Sequence, residues 1–275
     1  RLCYEDYISR PIATALAEYV GPKILTIQDE YEFTECARKW IERLKFDLVL
    51  TCVPEPFVES IYPAARFPKT KFRTVFTGYV PDWLATRFAR KPIAERTLDI
   101  CYRGRSLHYF YGRLGQEKEF IGVEVKRRAS NERLKVDIET NDSSRIYGDA
   151  WFEFLLSSRC TLGTESGANV FDFDGTLRKR IDQYRKANPE ATFAEIEKNL
   201  MAGLEGTHAI MNQISPKMFE SIACGTVLIM FEGKYSGILI PDRHFISLKN
   251  DFSNWQEVVE KVKDHRFLQE VADRA

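Results

Sequence analysis

Short apolar runs alternate along this chain with longer amphipathic stretches, the spacing expected of strands and helices taken in turn. Residues 22–28 read as a strand, 34–44 as an amphipathic helix, 46–53 as a second strand and 71–78 as a third, closing on the turn residues Gly78 and Pro81. A polar stretch, 87–96, contains Pro92 and reads as a linker. A new cycle then begins, with strands at 97–102, 135–138 and 160–162 and helices at 117–130 and 150–156. Helices at 177–186 and 192–201 follow, and the chain closes with a strand at 245–248 and a helix at 254–262. This alternation predicts an α/β protein with mostly parallel sheet, divided into residues 1–95 and 96–275, with ligand at the carboxyl ends of the strands.

The segment 212–229 compresses the most local information. Ser215 suits a helix N-cap and Pro216 the first helical position, where its missing N–H has no intrahelical partner to lose. Met218, Phe219, Ile222 and Ala223 supply an apolar stripe. Gly225 permits a left-handed turn, after which 226–231 runs as a buried strand. The free amides at such a helix start, together with the positive end of its dipole, suit a diphosphate. Lys217 and Glu220 lie three apart on one face.

Composition narrows the function classes. The chain has 275 residues with 44% hydrophobic content, and its 40 basic and 40 acidic residues cancel. Without a net positive field there is no electrostatic case for general nucleic-acid binding. No apolar run approaches the roughly 20 residues of a membrane span, and the start lacks a signal-peptide pattern, so a soluble, cytoplasmic protein is expected. Cys3, Cys36, Cys52, Cys101, Cys160 and Cys224 are scattered without a C-x-x-C pair and read as small core residues in a reducing compartment. The chain opens on Arg1 and ends within a helical pattern at Ala275, so a segment of a longer protein is expected.

Several clusters carry candidate chemistry. Arg103 and Arg105 follow the strand at 97–102, and Arg113 and Lys118 fall shortly after in the run GRLGQEK. The small-residue loop 163–169 follows a strand, and Glu165 and Ser166 in it are placed to touch a sugar or its phosphate. Asp29 and Glu30 end the first strand, as a general base or as acidic residues favouring the next helix start. His208 and His244 flank the 212–229 segment.

The run FESIACGTVLI at 219–229 resembles the donor-binding helix of group 1 glycosyltransferases, enzymes built from two Rossmann-like lobes (GT-B). It places Glu220 on the second Glu of that family's motif, while Asn212 stands where the family has its first. GRLGQEK resembles the family's G-R-L-x-x-E-K, matching Arg113 and Lys118; by position after the strand, Arg103 or Arg105 is the alternative Arg. The stretch 160–254 is similar to bacterial sugar transferases of this broad group.

The resemblance implies a partial, acceptor-side lobe at 1–95 and a donor-binding lobe at 96–275. It implies transfer of a sugar from a nucleotide-diphosphate donor to a hydroxyl of a glycan, lipid or small molecule. Glu220 would hold the ribose, the amides after Ser215 the diphosphate, and Lys217, Lys118 and Arg113 or Arg105 its charge. No metal and no cofactor beyond the sugar nucleotide are called for.

Two other readings stay open. FDFDGTL at 171–177 resembles the D-x-D-G-T-L motif of haloacid-dehalogenase-type phosphatases, which implies Asp172 as nucleophile and Asp174 as acid/base with magnesium. The apolar strand that should precede that motif is lacking here. Asn212 also fits a non-catalytic module that binds a nucleotide sugar without turnover.

Overall fold

A computed structural model describes residues 8–275. The element order begins α1 (Arg10–Glu18), β1 (Ile24–Thr26), α2 (Thr34–Leu44), β2 (Leu48–Thr51), α3 (Val58–Ile61), β3 (Lys71–Thr74) and α4 (Trp83–Arg87). It continues with β4 (Leu98–Arg103), α5 (Gly112–Ala129), β5 (Val136–Glu139), α6 (Asp149–Leu156), β6 (Ser158–Gly163), α7 (Thr176–Ala187) and α8 (Phe193–Leu200). α9 (Pro216–Ala223), β7 (Val227–Phe231), β8 (Phe245–Leu248), α10 (Trp255–Lys263) and α11 (His265–Arg274) complete it. The expected α/β alternation is present, with every strand pair parallel. Helices α1, α3 and α4 were not anticipated, while α11 gives bounds to the helical pattern expected at the chain's end; α3 and α4 are too short to show a helical period.

The chain divides into two compact units that do not follow the expected split at residue 95. The first takes residues 8–77 together with His108–Arg113 and Gly167–Met211; the second takes Gly78–Leu107, Leu114–Ser166 and Asn212–Ala275. Backbone pairing explains why a late segment joins the first unit: Asp172 N–H donates to the Tyr31 carbonyl, while Phe33 N–H donates to the Asp172 carbonyl, each at 2.9 Å. The expected linker also belongs to the second unit, where Arg90 and Arg96 bond the end of α9. Long-range pairing of this kind leaves no local signature.

In the first unit β1, β2 and β3 form a sheet in that order, and α2 covers it with Ala37, Ile41 and Leu44. A carboxylate lies inside this core. Glu30 is fully buried, accepting hydrogen bonds from the Thr51 and Tyr62 hydroxyls and from the Cys52 amide. Burial pushes its carboxyl up to about 7; the Thr51, Tyr62 and Cys52 bonds oppose that and nearby Asp29 reinforces it. The folded state therefore holds this proton more tightly than the unfolded chain, so the stabilisation is complete below pH 4.5 and is lost as pH rises through about 7. Urea unfolding between pH 5 and 7 should show the wild type losing about 2 kcal/mol from this group, and Glu30→Gln should flatten that slope.

The second unit holds a five-stranded sheet in the order β5-β4-β6-β7-β8. Strand β7 is buried along its whole length, as a central parallel strand covered on both faces must be. Val227, Ile229 and Phe231 face a core with α5, α10 and α11, while Leu228 and Met230 face Met218 of α9. The chain reverses direction across this sheet at β4, which has β5 on one side and β6 on the other. Ligands of open α/β sheets bind at such a switch point, outside the carboxyl ends of the strands.

Cys52, Cys101, Cys160 and Cys224 are buried free thiols, as expected, while Cys36 is half-buried and Cys3 lies outside the described residues. Burial pushes the Cys52 thiol up to about 12 and those of Cys101 and Cys224 to about 11. Among the described residues no helix is long and apolar enough to cross a membrane.

Candidate functional site

A cavity of about 560 Å³ opens at the switch point of the second sheet. Its floor is the carboxyl end of β4 and the turn beyond, Tyr102 to Arg105, beside the end of β6 at Thr161 to Thr164. One wall is the start of α9, from Ser215 to Ser221; the other is the loop and first turn of α6, from Arg145 to Phe152.

Cations dominate the charged groups of the lining. Arg103, Arg105, Lys118, Arg145 and Lys217 all reach the cavity, and Glu220 is the one carboxylate among its lining residues. Lys217 extends from the first turn of α9 and donates to the Arg103 carbonyl at 2.7 Å. Lys217 is exposed as a residue, yet protein packed around its ammonium lowers its pKa, desolvation being the main cause. Glu220 opposes that shift, and Arg105 and Arg145 add to it. A desolvated lysine with further cations, Arg105 and Arg145, nearby is a place where an anion would relieve positive charge.

The other cations are positioned by the fold. Tyr102 anchors α5 by donating its hydroxyl proton to the Lys118 carbonyl at 2.8 Å. Gly104 is required where α5 passes, because a Cβ there would come within 2.8 Å of that same carbonyl. The Lys118 ammonium donates to the Ser166 hydroxyl at 2.7 Å. Arg103 is held back from the opening by Asp137, 2.8 Å away, and by the Phe154 ring, whose centroid lies 4.2 Å from its guanidinium carbon. Arg105 takes the exposed position beyond β4.

Helix α9 starts as expected, with Pro216 at its first position and Ser215 extended at φ −89° and ψ 145°. The Ser215 hydroxyl makes no capping bond, so the cavity wall presents the helix start itself. Three residues along from Lys217, the Glu220 carboxylate accepts the indole N–H of Trp151 at 2.7 Å. The Lys217 ammonium lies 5.3 Å from the Trp151 ring centroid.

Several expected site residues are placed elsewhere. Arg113 does not line the cavity; it belongs to the first unit, exposed and paired with Glu197 at 2.5 Å. The backbone turns helical at Gly112 before reaching Arg113, and spacing in GRLGQEK cannot show that Lys118 alone of the pair faces the sheet end. Glu165, Ser166 and Asn212 form a cluster beside the cavity and are not among its lining residues. Glu165 is buried: one oxygen accepts from the Lys234 and Tyr235 amides at 2.9 and 2.8 Å, and the other from the Asn212 side-chain amide at 2.5 Å. Ser166 and Gln213 exchange two backbone hydrogen bonds.

The phosphatase-like motif is a helix start. Asp172 is buried and accepts from the amides of Leu177 and Arg178 at 3.1 and 2.9 Å, and Asp174 accepts from Thr176 at 2.9 Å. Both oxygens of the presumed nucleophile are thus committed to capping α7. Asp29 accepts the Tyr31 hydroxyl proton at 2.6 Å, Glu30 is internal, and His208 packs edge-on against Phe173. His244 receives the Ile240 amide.

Arg145, Tyr147 and Trp151 line the cavity without having been singled out from sequence. Their one available signal was position, directly after the strand that flanks the switch point.

No protein-family model matches the chain, and no curated protein sequence does. Among solved structures it is similar to an alpha-glucosyltransferase in complex with UDP and a 13-mer DNA containing an HMU base. That match has a TM-score of 0.52 at 10% identity, covering 98% of this chain and 72% of the other. The likeness is one of fold.

Proposed function

We propose that the chain is a glycosyltransferase that binds a nucleotide-diphosphate sugar in the switch-point cavity and passes the sugar to an acceptor hydroxyl. The cation set around the start of α9, opposed by the single carboxylate Glu220, carries this reading. A shared fold with a UDP-complexed alpha-glucosyltransferase is consistent with it. Lys217, Lys118, Arg105 and Arg145 would neutralise the diphosphate as negative charge builds on the leaving group, and the free first-turn N–H of α9 would donate to its remaining oxygens. The Glu220 carboxylate would accept from the ribose hydroxyls. Since cations fill the electrostatic role, the transfer would run without a metal ion.

The test is donor turnover. Incubated with UDP- and GDP-sugars, the protein should release nucleotide diphosphate, and release should persist in excess chelator. Wild-type protein that neither binds nor cleaves any member of a broad sugar-nucleotide panel, with a library of hydroxyl acceptors present, would remove the proposal.

A further inference from the structure

The structure assigns Trp151 as the positioning residue that fixes both charges of α9 for a nucleotide. This rests on the donor-site reading and adds to it a cavity-lining residue that acts by holding two charged groups in place. An indole N–H is a donor with no acceptor capacity, and when partly buried it needs an acceptor. Here that acceptor is one Glu220 oxygen at 2.7 Å, the single hydrogen bond to this carboxylate among the described residues. A glutamate otherwise carries considerable rotamer freedom, so this bond selects one orientation and leaves the second oxygen for a ligand hydroxyl.

The same ring faces the other charge. Lys217 lies 5.3 Å from its centroid, within the range of a cation–π contact, and also bonds the Arg103 carbonyl. Trp151 is itself seated on α6 against Phe154, ring centroids 6.1 Å apart. One indole on a helix outside the motif therefore spaces the carboxylate and the ammonium that stand three residues apart on α9.

Outer partners that orient metal-ligating groups contribute about tenfold or more to function, and an effect of that order is expected here. Calorimetric titration of UDP, GDP and ADP, each against its 2′-deoxy form and against inorganic pyrophosphate, provides the test. Wild type should favour the ribonucleotide over the deoxy form. Trp151→Phe, which keeps a ring and loses the N–H, should weaken the ribonucleotide by about tenfold, shrink the ribose preference to near unity and leave pyrophosphate within about twofold. Glu220→Gln should produce the same loss of preference, and combining the two changes should add little.

A benzothiophene analogue of tryptophan placed at position 151 keeps the shape, lacks the N–H and should behave like Trp151→Phe, which covers the case of a poorly folded Phe variant. Retention of the full ribose preference in either variant, while Glu220→Gln loses it, would overturn the role of Trp151 and leave the donor site standing. Absence of nucleotide binding in the wild type would remove both.

Discussion

Glu220→Ala is expected to weaken binding of the nucleoside diphosphate by roughly a hundredfold to ten-thousandfold, since hydrogen bonds to a charged group contribute about 1.5–3 kcal/mol each and two ribose hydroxyls are involved. Two consequences add up here. The ligand loses its acceptor, and the Trp151 N–H loses the partner it has at 2.7 Å. Turnover measured at subsaturating donor should fall in step with affinity, while pyrophosphate, which has no ribose, should bind nearly as before. The fold should be unaffected, because Glu220 is half-buried at the cavity wall and contributes nothing to the cores on either face of the sheet. A variant whose affinity for UDP and GDP changes by less than about threefold would show that Glu220 does not hold the sugar of the nucleotide.

Arg96→Ala is expected to lower the unfolding free energy by about 4 kcal/mol, at the upper end for a single substitution. Arg96 is 3% exposed and has no carboxylate partner among the described residues. Its guanidinium donates to the carbonyls of Lys91, Ser158 and Cys224 and to the Thr226 hydroxyl, at 2.8 to 3.0 Å. Desolvation lowers its pKa, and the buried charge is tolerated because it meets the negative end of α9 and a ring of acceptors. Alanine would leave a void and several carbonyls without donors. A thermal midpoint lower by roughly 10 °C is the expected readout, with Arg96→Lys recovering less than half because one ammonium cannot span four acceptors on three segments. A change below about 1 kcal/mol would mean that water replaces the guanidinium without penalty.

How far the sequence revealed this molecule follows from the range of each interaction. Helix α2 matches its expected bounds, residue for residue, because its apolar spacing and flanking turns are local. Helix α9 and strand β7 were legible for the same reason: Pro216, the apolar stripe and Gly225 act within a few residues. Strands β1 and β2 came out shorter than expected, because apolar residues beyond the paired segments, Ile27, Phe46 and Val53, still face the core, while β6 came out longer. The grouping of 167–211 with the N-terminal unit was not legible, since the bonds between Asp172 and residues 31 and 33 join positions far apart in the chain.

The same division holds at the candidate site. Lys118, Lys217, Ser215 and Glu220 reach one cavity, and Arg105 joins them from the end of β4. Arg113 satisfied the motif and went elsewhere, because an arginine can pair with any nearby carboxylate and found Glu197. Glu165 drew attention as a ligand group and is instead occupied by the chain around Lys234 and by Asn212. Trp151 carried no motif at all, its role arising only when α6 packs beside α9.

The arginines at the far end of α9 bear on kinetics. Arg90 donates to the Ala223 and Ile222 carbonyls and Arg96 to that of Cys224, so the helix is moored at the end away from the cavity. Its conformational freedom is surrendered when the chain folds, before any nucleotide arrives. Association should then be limited by encounter, quickened by the positive potential and slowed by added salt, with no slow rearrangement following it.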